Sequence, residues 1–454
     1  MIISRYPSLR SSLSVLAALM LTQVIPAQSV SIQNRELIDA TAGVRETALS
    51  ATSAVRIAVY IKAGVASGIG YAYSNATTSG WIASTIPTAT VGGGTVAGFD
   101  DPSIAVLDPQ LDDFIVCARK PPQVAVNLYS ATTDTFSGWQ TVMDSSVGGF
   151  PVDKSWVISR GAGEVLVTAF SISSPIGIHY SRSSDGGLTW HADQVLVQGN
   201  PVNTAFCPQP TTSGDGKVYV AWMTASPALG GSIRLLAGRS GSNNTMNFAN
   251  VVDSSGVPIS IPVHLDGENM PAPGTPTSKT VPYLLADPTS VNRLYVAYHD
   301  IAPDDSSDIN IYLVRIDYSE QAHAWTSQPA VRVNTDPVVA SPRPDQFTPA
   351  MAIDGRGRIH VTFYDNRAWY PNYPASAAYD MYYALSVDHG LTFTNWNMWS
   401  TPAVSGSSVF APGEYNGIAI VDSPTAAQVW TSYTGNDQLG STGIFGTKIL
   451  VSYP

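Results

Sequence analysis

Three short stretches of the sequence bring together side chains able to bind a ligand or to carry chemistry. Phe363-Tyr-Asp-Asn-Arg367 ends an apolar run and opens a loop, Ala368 to Ala378, that holds Trp369, Tyr370 and Tyr373. Aromatic faces beside Asp365, Asn366 and Arg367 suit stacking on a sugar ring together with hydrogen bonds to its hydroxyls. Ala411-Pro-Gly-Glu-Tyr-Asn-Gly417 sets the Glu414 carboxylate beside the Tyr415 phenol, a pair suited to proton transfer or covalent catalysis. Tyr298-His299-Asp300 adds a histidine at the end of another apolar run, whose other reading is a local pair with Asp300.

Other chemistries find no support. Neither a His-x-x-x-His pair nor closely spaced cysteines are present, so a zinc site is not expected. Gly92-Gly-Gly94 and Gly186-Gly187 read as turn glycines without the strand-to-helix setting of a phosphate loop. No Asp-x-Asp-x-Asp loop specifies calcium, and no metal or cofactor is expected. The 454 residues include 23 Lys and Arg against 34 Asp and Glu, a net charge of −11, which argues against a grip on nucleic acid. Two cysteines, Cys117 and Cys207, are too few for a disulfide framework and are expected as buried thiols.

The elements that must position the candidate residues show themselves as a repeat. Only 13% of residues are charged, Gly (37) and Pro (32) are frequent, and short runs rich in Val, Tyr and Phe alternate with turns. Units begin near Glu46, Asp101, Lys154, Ala205, Val281, Phe347 and Tyr415, at intervals of roughly fifty to seventy-five residues. Each carries a second strand of one type, for example Arg56-Ile-Ala-Val-Tyr60, Val165-Leu-Val-Thr-Ala169 and Ile359-His-Val-Thr-Phe363. Seven units of four antiparallel strands predict an all-β, seven-bladed β-propeller, with a six-bladed count the alternative.

The seventh unit supplies three strands, and Val30-Ser-Ile-Gln33 is expected to complete it and close the ring. Before that segment, Arg5 and Arg10 precede an apolar run from Leu13 to Leu21, with small residues at Ala27 and Ser29. That order reads as a signal peptide over residues 1–28 of a secreted or periplasmic protein, leaving 29–454 as a single propeller domain with no membrane span.

In such a ring, the first strand of each blade starts at the rim where the second strand ends. That rim collects Arg45, Glu46, Asp100, Asp101, Asp153, Lys154, Trp156, Lys279, Asp345, Gln346, Glu414 and Tyr415 from strand starts. Second-strand ends add Lys62, Arg119, Lys120, His299, Asp300, Asp365, Asn366 and Arg367. In a chain so poor in charge, this concentration marks a site.

Ser183-Ser-Asp-Gly-Gly-Leu-Thr-Trp190 and Ser386-Val-Asp-His-Gly-Leu-Thr-Phe393 each follow a third strand, with degenerate copies at Tyr73-Ser74 to Gly80-Trp81 and Tyr129-Ser130 to Gly138-Trp139. These turns resemble the Asp-box signature Ser-x-Asp-x-Gly-x-Thr-Trp, and the chain thereby resembles the Asp-box (BNR), sialidase-like propeller superfamily. The resemblance implies that the boxes lie on the face opposite the site. It also implies three arginines for a substrate carboxylate and a tyrosine nucleophile activated by a glutamate, with an aspartate as acid/base. On these positions Arg45, Arg119 and Arg367 are the candidate cations, and Glu414, Tyr415 and Asp365 the candidate catalytic groups. Asp101, Asp345, His299 and Trp369 complete the expected substrate contacts. The expected activity is that of a sialidase-like glycoside hydrolase, monomeric and acting on a glycan or glycoconjugate. The alternative is a non-catalytic glycan- or protein-binding propeller.

Overall fold

A computed structural model describes residues 29–41, 44–62, 68–75, 77–78, 80–95, 98–144, 152–171, 175–199, 204–226, 230–240, 246–264, 281–303, 305–337, 344–367, 379–398, 415–436 and 442–453. Within them the strands form seven antiparallel sheets in meander order, a seven-bladed β-propeller. The inner strands, one to a blade, are Val44–Ala51, Asp100–Asp108, Val152–Ser159, Thr204–Thr212, Tyr283–Ala286, Gln346–Ile353 and Gly417–Asp422. They meet in chain order, and the seventh packs on the first. Among the described residues no helix is long and apolar enough to cross a membrane.

The second strands explain why the repeat is visible in the sequence. Val165–Ser171 and Ile359–Asp365 are buried along their whole length, because each blade is covered by a neighbour on both faces. A strand with two buried faces reads as a continuous apolar run rather than an alternation. The core accordingly lies between sheets. Ile57 and Val59 of blade one pack with Phe114 and Val116 of blade two, and Ile115 and Val126 of blade two pack with Val165 and Val167 of blade three. Cys117 and Cys207 are buried, unbridged thiols in these layers, and burial pushes Cys117 up to about 12.

Strand register separates the two faces of the ring. In blade three, Val152 faces Ser171, which faces Gly177, at one end; Ser159 faces Val165, which faces Ser183, at the other. The turns after Ser183 and Ser386 therefore lie opposite the rim. Both are built alike. Asp185 accepts hydrogen bonds from the Thr189 N–H (2.8 Å) and hydroxyl (2.5 Å), and Asp388 accepts them from Thr392 at 3.0 and 2.6 Å. Ser183 and Ser386 donate to the same carboxylates at 2.8 and 2.7 Å. Gly187 and Gly390 adopt φ of 88° and 82°, and a Cβ at Gly390 would meet Leu313 Cδ2 at 2.3 Å, so glycine is required there for conformation and for space.

The ring closes by joining the ends of the described chain. Val30–Ile32 and Glu36–Asp39 both pair with Thr442–Ser452, the third strand of blade seven. Ile38 is buried there, and Asp39 accepts from the Tyr60 hydroxyl at 2.6 Å in blade one. On the opposite face Arg358 of blade six donates to the Val451 and Ser452 carbonyls, and Arg356 and Arg358 flank the Tyr453 ring at 3.6 and 4.4 Å.

Two outcomes test this account. Deleting residues 29–39 leaves Thr442–Ser452 as an open edge and should lower the melting temperature by about 5 °C or more; a truncated protein that melts like the parent would refute the closure. Asp388→Ala should cost about 1–2 kcal/mol in chemical denaturation through its lost turn hydrogen bonds, without changing any property of the rim.

Candidate active site at the rim

Five inner strands break their pairing at the same height, one step inside the rim. Register shifts fall at Arg45/Thr47, Asp100/Ser103, Asp153/Trp156, Phe206/Gln209 and Phe347/Ala350. At each shift a residue other than glycine takes left-handed backbone: Glu46 (φ 49°), Asp101 (48°), Lys154 (49°), Cys207 (51°) and Thr348 (53°). These are β-bulges, and a bulge re-aims side chains and frees backbone groups from the ladder. Neighbouring blades take up the freed groups. The Thr348 N–H donates to His299 Nδ1 at 3.4 Å, its carbonyl accepts from Asn416 at 2.9 Å, and the Asp101 carbonyl accepts from the Ser155 hydroxyl at 3.3 Å.

The bulges of blades two and three build the densest charged cluster on the rim. Arg119, near the end of the second strand of blade two, places Nε 2.8 Å from Asp100 Oδ1. Its Nη1 lies 3.3 Å from Asp101 Oδ2 and 2.5 Å from Asp153 Oδ1. Beneath it Lys154 Nζ donates to Asp101 Oδ1 at 3.1 Å, and the Tyr415 hydroxyl from blade seven donates to the same oxygen at 2.9 Å. Asp101, Lys154 and Tyr415 are buried, whereas the Asp100, Asp153 and Arg119 side chains keep 33%, 27% and 22% of their surface open to solvent. The accessible layer is thus two carboxyls on either side of one guanidinium.

The electrostatics differ between the layers. Burial alone would lift the Asp101 carboxyl, but Lys154, a hydrogen bond shared with the Asp153 carboxyl, and Arg119 hold it well below the usual carboxylate range. Burial and the nearby Asp101 charge push Asp100 up to about 6 despite the guanidinium. Asp153 is also raised, by burial and by a hydrogen bond that its protonated form donates to the Asp101 carboxylate. At mildly acidic pH the accessible carboxyls can therefore both hold and release protons over a carboxylate that stays charged.

An aromatic floor lies under the cluster. The half-buried Trp156 ring packs edge-on against Tyr283 at 6.1 Å and tilted against Tyr415 at 5.7 Å. Below it runs a central channel of about 510 Å³ walled by side chains such as Leu49, Ile104, Ile158, Leu285 and Ile353.

The sequence-based candidates divide. Arg119, Asp101 and Tyr415 come together, joined by Asp100, Asp153, Lys154 and Trp156, which strand order alone had placed on the rim. Arg367 turns to a different set in blades five and six: its Nε and Nη2 contact Asp365 Oδ2 at 2.8 and 2.6 Å, its N–H donates to Asp365 Oδ1, and its guanidinium lies over the Tyr382 ring at 4.2 Å. Burial pushes Asp365 up to about 6 despite that partner. Asp345 is buried beside them, accepting from the Ile309 N–H at 3.2 Å and donating its own N–H to Asn366. His299 is buried against the Thr348 bulge rather than open at the rim. Arg45 lies in the inner strand of blade one opposite Ile61. Glu414 and Trp369 lie outside the described residues. Among the described residues no group of three or more His, Cys, Asp or Glu side chains is arranged to hold a metal ion.

No family model and no curated protein matches the chain. Among solved structures it is similar to an ulvan lyase, presented as a new family of polysaccharide lyase, at 12% identity over 94% of this chain and 96% of that one, with a TM-score of 0.50. A protein of unknown function from Dyadobacter fermentans matches at 10% identity over 94% and 100% of the two chains, TM-score 0.47. The Hadza microbial sialidase Hz136 matches at 11% identity over 85% and 74%, TM-score 0.43. The likeness is one of fold.

The buried Lys154–Asp101 pair yields a prediction. Lys154→Met should cost about 3–5 kcal/mol in chemical denaturation, because it leaves Asp101 buried with one fewer counter-charge. The pH dependence has a definite sign. Asp101 is depressed in the folded state, so its contribution is present above the unfolded carboxyl value near 4 and is lost as pH falls through the folded value. Asp100 and Asp153 act oppositely, and their part of the stability fades as pH rises toward about 6. Melting scans from pH 3 to 8 on the parent and on Asp100→Asn separate the two contributions.

Proposed function

We propose that the protein is an exported Asp-box propeller of sialidase-like architecture that hydrolyses glycosides at the rim of blades two and three. One observation carries the reading: Asp100 and Asp153, both accessible and both raised, flank Arg119 above an aromatic floor. Glycoside hydrolysis needs one carboxylic acid to protonate the leaving oxygen and one carboxylate to assist attack. Asp153 is assigned the acid, since its hydrogen bond to Asp101 favours its protonated form. Asp100 is assigned the carboxylate that activates water or stabilises the oxocarbenium-like transition state. Arg119 keeps the two carboxyls in register, and the Trp156 ring offers an apolar face to the sugar.

Tyr415 enters as a positioning residue rather than a nucleophile. Its hydroxyl is buried and spent on Asp101, which it helps to keep ionised. Export is supported by the basic, apolar and small-residue order of the first 28 residues, and the Asp-box assignment by the matching turns at Asp185 and Asp388.

A second reading, a non-catalytic glycan- or protein-binding propeller, is favoured by how fully Arg119 is engaged by carboxylates. Turnover separates the two. On a panel of chromogenic glycosides the parent should show a bell-shaped rate profile with its maximum near pH 6. Below it both carboxyls are protonated and no base remains; above it both are ionised and no acid remains. Asp153→Asn and Asp100→Asn should each lower kcat by roughly a hundredfold or more while still folding. Binding without turnover would favour the second reading.

A further inference from the structure

The charge balance of the rim cluster points to the substrate class. Three carboxyls, Asp100, Asp101 and Asp153, surround two cations, Arg119 and Lys154. Both cations already face the protein's own carboxyls. Lys154 is buried between Asp101 and the Tyr415 ring, which its Nζ overlies at 5.2 Å. Arg119 has Nε and Nη1 against three carboxyls, so a substrate carboxylate approaching the solvent-open part of the guanidinium would sit beside Asp100 and Asp153. The Asp100 and Asp101 carboxylates, the two that are ionised when Asp153 holds its proton, repel a substrate anion in this partly desolvated site. The arginine expected to help, Arg367, is bound by both Asp365 oxygens and lies 3.5 Å from Asp336 in a separate cluster. What the mouth does offer is acceptor oxygens for hydroxyl or amine donors, and the half-buried face of Trp156 for the C–H face of a ring.

We propose that this site selects a non-anionic sugar, uncharged or amine-bearing, and rejects sialic and uronic acids. The inference rests on the reading of the rim as a carbohydrate site. It departs from the sialidase resemblance at one point, because Arg119 and Arg367 contact the protein's own carboxylates.

The test uses the whole exported chain. p-Nitrophenyl glycosides are compared in matched pairs that differ only in the charged group, glucoside against glucuronide and galactoside against galacturonide, with a glucosaminide and a sialoside alongside. A glycan array bearing the same sugars reads binding independently of turnover. The expected result is kcat/KM, or array signal, at least tenfold higher for the neutral or amine-bearing member of each pair. Asp100→Asn removes one negative charge from the mouth and should narrow that gap several-fold on the array. A uronide or sialoside handled as well as its neutral partner, or a gap unmoved by Asp100→Asn, would overturn the charge inference while leaving hydrolysis standing. Selective binding of neutral glycans without hydrolysis would remove the enzymatic reading and support the inference. Absence of both binding and hydrolysis across the panel would overturn both.

Discussion

A strand normally sends successive side chains to opposite faces, so two neighbouring residues cannot meet the same partner. At the rim of this propeller that constraint is lifted by one device, a left-handed residue that bulges the inner strand. The consequence is plain at Arg119, which touches both Asp100 and Asp101. It recurs at Asp153 and Lys154, consecutive residues that both reach the same cluster. Left-handed backbone costs a non-glycine residue on the order of 1–2 kcal/mol, and five blades bear it at the same height. Bonds from neighbouring blades to the displaced backbone, as at Thr348 and Asp101, offset part of that cost.

The same device explains what could be read from the sequence and what could not. The ring was legible because its second strands are buried on both faces and keep one residue pattern in every blade, and because Ser183–Trp190 and Ser386–Phe393 repeat a turn whose hydrogen bonds need those residue types. Rim membership was legible too, since strand order fixes which loops share a mouth. Side-chain direction was not. Alternation would have sent Asp100 and Asp101 apart, and only the bulge returns both to Arg119. A faint signal existed, a Pro directly after the bulged residue at Pro102, Pro208 and Pro349, where a strand ladder has no N–H to use. For Arg367 the competing partner stood two residues away, and Asp365 captures it through both the backbone N–H and the guanidinium.

Two charged clusters thus form on the same rim with different consequences. Asp365 is wholly buried, so its raised affinity for protons is sealed from any substrate. Asp100 and Asp153 are raised for the same primary reason, burial, yet stay in contact with solvent. The difference is one of exposure: the Asp365 side chain is sealed under Arg367, whereas Asp100 and Asp153 keep 33% and 27% of their side-chain surface open. A carboxyl in that position resists ionisation but can still exchange its proton, the property an acid/base group requires.

Ring closure and site chemistry are consequently one problem. The hydroxyl that helps hold Asp101 in blade two comes from Tyr415 in blade seven, which reaches past blade one to deliver it. Blade seven is in turn completed by the N-terminal strands and held to blade one by the Thr47–Ser432 hydroxyl contact at 2.8 Å. The blade that closes the ring is thus also the blade that sends a hydroxyl into the charged cluster, so one sheet carries both the seam and part of the site.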